Sequence, residues 1–125
     1  MKQISIIIAI LMTISSPVSA QDSNNPAVLT GTVTDVRDGD TIEVGGIAVR
    51  LSALDCPENG TQQGNRATQI AQQFQGTQAQ CELTVAKSYD RLVGYCTVNG
   101  ADFGLFMMQN SSCKVWEKYD VWNRY

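Results

Sequence analysis

Residues 28–54 read VLTGTVTDVRDGDTIEVGGIAVRLSAL, three short runs rich in Val, Ile, Leu and Thr that break at Gly39-Asp40 and at Gly45-Gly46. Runs of this kind, separated by turn-forming dipeptides, read as an antiparallel meander of strands. Gly45-Gly46 suits a two-residue hairpin, because glycine accepts the positive φ angles that such turns require. Strand alternation puts Thr32, Thr34, Val36, Asp38, Asp40, Ile42 and Val44 on one side, unless a bulge or turn at Gly39 intervenes. Asp38 and Asp40 would then point the same way as three apolar side chains, where carboxylates repel each other and lose hydration. Taken alone, Asp38-Gly39-Asp40 reads most simply as a turn.

Beyond the loop DCPENGTQQG, the segment NRATQIAQQFQG sets Ala67, Ile70, Ala71 and Phe74 on one helical face and ends at Gly76. Two further strands follow, CELTVAK and RLVGYCTV, joined by a hairpin at Ser88-Tyr89-Asp90. Asn99-Gly100 then turns the chain into a short helix, FGLFMMQN, with Asp102 as its N-cap. The order β-β-β-α-β-β-α predicts a mainly β chain with helices (α+β), a five-stranded, partly open barrel of the oligonucleotide/oligosaccharide-binding (OB) type. A turn centred on Ser88-Tyr89 pairs 87 with 90, 85 with 92, 83 with 94 and 81 with 96, which brings Cys81 and Cys96 within disulfide reach. Cys56 and Cys113 then pair by default.

The chain opens with MKQISIIIAILMTISSPVSA, a single basic residue, an apolar run and a small-residue ending, which predicts a signal peptide over 1–20. Residues 21–27 are expected to be a flexible mature N-terminus, followed by one domain over 28–125. The run is too short to span a membrane, so the expected location is secreted or periplasmic. An even cysteine count in an exported domain fits two disulfides. The mature part carries 8 basic and 12 acidic residues, which argues against nucleic acid held chiefly by phosphate contacts. An enzyme whose acidic residues gather around a cation is not excluded. Since the chain has no histidine, His-based zinc sites and Ser-His or Cys-His nucleophiles are excluded.

The end of the third strand, LDCPE, adds Asp55 and Glu58 to Asp38 and Asp40. Oxygen donors without histidine favour a hard cation such as Ca²⁺, with the Cys56 carbonyl as a further ligand. Arg50 on the third strand and Arg91 after the hairpin suggest an anionic substrate, because guanidinium groups match phosphate oxygens.

The stretches V36-R-D-G-D-T41, V49-R-L-S-A-L-D-C-P-E58 and Y89-D-R91 followed by L-V-G-Y-C resemble the staphylococcal nuclease-like thermonucleases over most of residues 29–120. The resemblance implies a Ca²⁺-dependent phosphodiesterase acting on DNA and RNA and leaving 3′-phosphates. It implies Asp40, Asp55 and the Cys56 carbonyl as calcium ligands and Asp38 as an acid beside them. Glu58 corresponds to the general base, and Arg50 and Arg91 to the arginines on the scissile phosphate. Tyr89, Thr41 and Tyr119 are the expected substrate-side residues, Trp116 and Trp122 being further candidates for stacking or packing. The expected substrate is single-stranded or denatured nucleic acid, and the expected state a monomer.

Three departures accompany the match. Asp90 stands where the family usually has glycine, opposing the substrate phosphate and offering Arg91 a competing partner. Ser88 replaces a basic residue, and the family's C-terminal helix is expected to be missing. A non-catalytic OB-type binding module and a calcium-stabilised secreted structural domain therefore stand as alternatives.

Overall fold

The computed structural model describes residues 25–125 and, ahead of them, Gln3 alone. The expected signal peptide, apart from Gln3, and residues 21–24 lie outside the described residues. The chain forms strands β1 (Ala27–Asp38), β2 (Thr41–Val44), β3 (Ile47–Leu51) and β4 (Leu54–Asp55), then helix α1 (Gln62–Gln72). Strands β5 (Gln78–Ser88), β6 (Arg91–Val98) and β7 (Ala101–Asp102) lead to helix α2 (Phe103–Asn110), strand β8 (Lys114–Val115) and a 3₁₀ turn at Glu117–Tyr119. It is an α+β chain, mainly β. No helix among the described residues is long and apolar enough to cross a membrane.

One sheet runs β3-β2-β1-β5-β6-β7, and β3 also pairs with β6, in parallel. A separate ladder joins β4 to β8. The expected flexible N-terminus ends sooner than the sequence suggested, since Ala27 already pairs with Leu83 of β5. The expected single strand over 47–54 is two strands, interrupted at Ser52-Ala53, where Ala53 takes a φ of 63°.

The core gathers Val33, Val36, Ile42, Val44, Val49, Leu51, Leu54, Val98, Phe103 and Met107. Val33 and Val36 are both buried, which strict alternation forbids. A register shift between Val33 and Asp35 changes the parity of β1. Thr34, on the outer side, holds this irregularity by donating to the Glu43 carbonyl at 3.2 Å and accepting from the Gly46 N–H at 2.9 Å. The shared apolar side expected from Thr32 to Val44 is therefore broken in the middle of β1.

Helix α1 begins three residues earlier than its apolar spacing suggests, because Thr61 caps it by accepting from Gly64 N–H at 3.0 Å. Its buried Ala67 and Ala71 pack on the core. Phe74, just past the helix end, meets Phe103 and Phe106 edge to face at 5.5 and 4.9 Å. Both expected disulfides are present, Cys81–Cys96 across β5 and β6 and Cys56–Cys113 between the start of the 56–61 loop and the segment after α2.

After the 3₁₀ turn the chain is tied down by Asp120. Its carboxylate accepts from Tyr95 Oη at 2.7 Å and from the Arg124 and Tyr125 N–H groups at 2.9 and 2.8 Å. Trp122 stacks on Tyr95 at 5.0 Å, with Arg124 over both rings. Trp122 is thus a packing residue, as one of its two expected roles had it.

Candidate functional site

Gly39 and Asp40 form the two-residue turn between β1 and β2, and the Asp40 N–H donates to Asp38 Oδ1 at 3.1 Å. The turn reading of Asp38-Gly39-Asp40 is correct, and it also aims one carboxylate inward. Asp40 is 9 % exposed. Its Oδ2 accepts from the Cys56 N–H at 3.2 Å and lies 3.4 Å from Arg50 Nη2, while Thr41 Oγ1 is 3.4 Å from its Oδ1. Burial, reinforced by Asp38, pushes the Asp40 carboxyl up to about 7, against the opposing pull of Arg50 and the Cys56 N–H. Gly39 is needed for this approach, since a Cβ there would stand 3.0 Å from both Cys56 Sγ and the Ala67 methyl.

Arg50 lies in β3, next to its last residue, where it pairs with Thr41. Its Nη1 donates to the carbonyls of Leu51 and Leu54 at 2.7 and 2.6 Å, so the interruption after Leu51 supplies the acceptors that aim the guanidinium. Arg91 opens β6 and donates from Nε to the Ser88 carbonyl at 3.2 Å, from Nη2 to Ser88 Oγ at 2.7 Å and from Nη1 to Thr41 Oγ1 at 3.1 Å. Ser88, which the sequence reading counted as a lost phosphate contact, instead fixes Arg91. Thr41 is 1 % exposed, and its hydroxyl links Arg91 to Asp40. The competing Asp90–Arg91 pair is not formed either, since Asp90 is held by Arg37 at 3.3 Å.

Arg50 and Arg91 line one cavity of about 540 Å³ together with Lys87, Tyr89, Trp116 and Tyr119. Tyr89 occupies the first position of the β5–β6 turn with a φ of 58°, is 96 % exposed, and its ring lies 5.8 Å from the Arg91 guanidinium. In the same lining, Trp116 and Tyr119 meet edge to face at 4.3 Å, and the Tyr119 carbonyl accepts from Ser52 Oγ at 2.7 Å. Two guanidinium groups, an ammonium and aromatic walls suit a phosphate flanked by bases.

Asp55 and Glu58 do not line this cavity. Asp55 is exposed on β4, and with Cys56 and Lys114 it borders a second hollow of about 490 Å³. Glu58 is exposed on the loop before α1. Its carbonyl accepts from Thr61 Oγ1 at 2.8 Å, which ties the loop to the helix cap. Among the described residues no three His, Cys, Asp or Glu side chains are grouped closely enough to hold a metal ion by themselves. Asp40, Asp55 and the Cys56 carbonyl are oxygen donors of the kind a hard cation takes, with water for the remaining positions, although Asp55 is exposed and faces the second hollow. The Cys56 N–H bond to Asp40 brings that segment beside the buried carboxylate.

Two residues of the site were missed in the sequence. Lys87 was read only as part of a strand, and nothing in its spacing marks it as a cavity residue. Gly64 was read only as the last residue of the loop before the helix, although it lies inside α1 and a Cβ there would run into the Glu58 carbonyl oxygen. Its position three residues after a capping threonine was the available signal. No protein-family model matches the chain, and no curated protein matches it.

Proposed function

We propose that this chain is a secreted or periplasmic, calcium-dependent phosphodiesterase of the staphylococcal nuclease-like kind that hydrolyses DNA and RNA. The observation that carries it is one cavity lined by Arg50, Arg91, Tyr89 and Tyr119, with buried Asp40 paired to Arg50. An OB-type barrel is supported by the pairing circuit β1-β2-β3-β6-β5, which returns to β1. The two disulfides fit an exported protein.

Asp40, Asp55 and the Cys56 carbonyl would hold the cation, and Asp38 would orient Asp40 by accepting the turn N–H. When bound, calcium supplies positive charge to the phosphoryl oxygens. Arg50 and Arg91 bind the same phosphate and match the charge that grows as phosphorus becomes five-coordinate. Glu58 takes the proton of the attacking water as its oxygen bonds to phosphorus, in line with the bond to the 5′ oxygen. That bond breaks, the 5′ oxygen leaves beside Arg91 and takes a proton from solvent water, and the 3′-phosphate remains. Tyr89 and the Trp116–Tyr119 pair stack on flanking bases. Nothing in the cavity is set to read base edges, so sequence preference is weak.

Digestion of heat-denatured DNA with calcium or with EDTA tests the reading. Cleavage is expected only with calcium, and Glu58→Gln is expected to lower it by about 10²–10⁴-fold, the usual contribution of a general base. Arg50→Ala is expected to lose it as well. Unchanged cleavage in both variants would overturn these roles. Binding without cleavage would make the chain a binding module, and a calcium-raised Tm with neither would make it a calcium-stabilised structural domain.

A further inference from the structure

Asp90 stands between Tyr89 and Arg91 in the β5–β6 turn, with its side chain 69 % exposed. A carboxylate there is one residue from a guanidinium meant for phosphate, and turned toward Arg91 it would both occupy that group and repel the substrate. It is turned the other way. Arg37 of β1 approaches from across 53 residues, with Nη1 3.4 and 3.3 Å from the two Asp90 oxygens and Nη2 3.3 Å from Oδ2. The same Nη2 donates to Glu43 Oε1 at 3.2 Å, so Glu43 also orients the guanidinium. The Arg37 carbonyl accepts from Asn59 Nδ2 at 3.0 Å, which ties this position to the loop that carries Glu58. Arg91 meanwhile directs its donors to Ser88 and Thr41.

The geometry points to Arg37 as a positioning residue that draws Asp90 away from Arg91 and keeps the phosphate site positive. The inference rests on the phosphate site proposed above, to which Arg37 itself does not belong. Exposed ion pairs contribute little to stability, so the effect belongs in substrate binding rather than in Tm. The bond from Arg37 also holds the Asp90 carboxyl below the usual aspartate range.

The test compares wild type, R37A, R37K, D90N and the double variant R37A/D90N on denatured DNA in calcium. R37A is expected to raise KM by about five- to tenfold with kcat nearly unchanged, the scale of one misplaced charge near a phosphate at the surface. The double variant and D90N are expected near the wild-type KM, R37K in between, and high salt is expected to erase the R37A defect. A double variant as impaired as R37A would overturn the proposal, because it would show that Arg37 does not act through Asp90. A second readout needs no turnover, namely the Arg91 Nε–H resonance in ¹⁵N NMR spectra of the protein without substrate. It is expected to move in R37A and to return in the double variant. An unmoved resonance in R37A sinks the inference. If that resonance responds as expected while wild type fails to cleave, the nuclease reading alone is sunk.

Discussion

Asp40 accepts from the Cys56 N–H and faces Arg50, yet burial and the neighbouring Asp38 still push its carboxyl up to about 7. The sign of the resulting pH dependence follows from proton counting. From the ordinary aspartate value of 3.8 up to about 7, the folded metal-free protein holds a proton that the unfolded chain has released. Its stability is therefore expected to fall as pH rises through that window, and urea titrations at several pH values in EDTA check this. Asp40→Asn should flatten the dependence. Calcium favours the ionised carboxylate and should reverse the trend. Asp40 and Asp38 also differ in role, one buried and bonded to the Asp55-Cys56 segment, the other accepting the turn N–H. Calorimetric titration is expected to show Asp40→Asn losing more calcium affinity than Asp38→Asn, and equal losses would refute that division.

The β5–β6 hairpin shows how a correct disulfide can follow from an incorrect turn. The sequence centres the turn on Ser88-Tyr89, whereas the structure pairs Ser88 with Arg91 and puts Tyr89-Asp90 at the tip. A bulge between Leu83 and Lys87 then restores the register, so Leu83 meets Gly94 and Cys81 meets Cys96 as expected. The half-polar run from Thr84 to Ala86 gave no apolar alternation by which to see that irregularity. The hairpin at Gly45-Gly46 was legible because both residues take positive φ, 56° and 79°. Loops were less legible, since their course depends on contacts from distant segments. Gly64 is an instance: the Glu58 loop lies against α1 only because residue 64 has no Cβ. Gly64→Ala is expected to displace the Glu58 loop and reduce cleavage at least tenfold, with a smaller change in DNA binding than in turnover. Single-turnover assays beside anisotropy measurements check this, and equal losses in both would argue for general unfolding instead.

Taken whole, the domain is small, and its disulfides close loops of 15 and 57 residues. Chain-entropy arguments give them about 3 and about 4 kcal/mol respectively. Urea unfolding of Cys81→Ser/Cys96→Ser and of Cys56→Ser/Cys113→Ser is expected to show losses of that order. Only the second pair should also weaken calcium binding, because Cys56 is bonded to Asp40. The mainly β character, both helices and both disulfides could be read from spacing and composition. The ladder of β4 with β8 and the Asp120 anchor could not, because two-residue strands and side-chain-to-backbone ties leave no periodic trace. The parallel pairing of β3 with β6 has its own bearing on how the molecule assembles. The β2–β3 and β5–β6 hairpins are local and are expected to form first, whereas Val49 meets Leu92 only across a closure of 43 residues. Arg50 arrives on one of those strands and Arg91 on the other. In a refolding experiment, oligonucleotide affinity is therefore expected to emerge after the hairpin signals and together with the slowest phase, so that ligand capture times the closing of the chain upon itself.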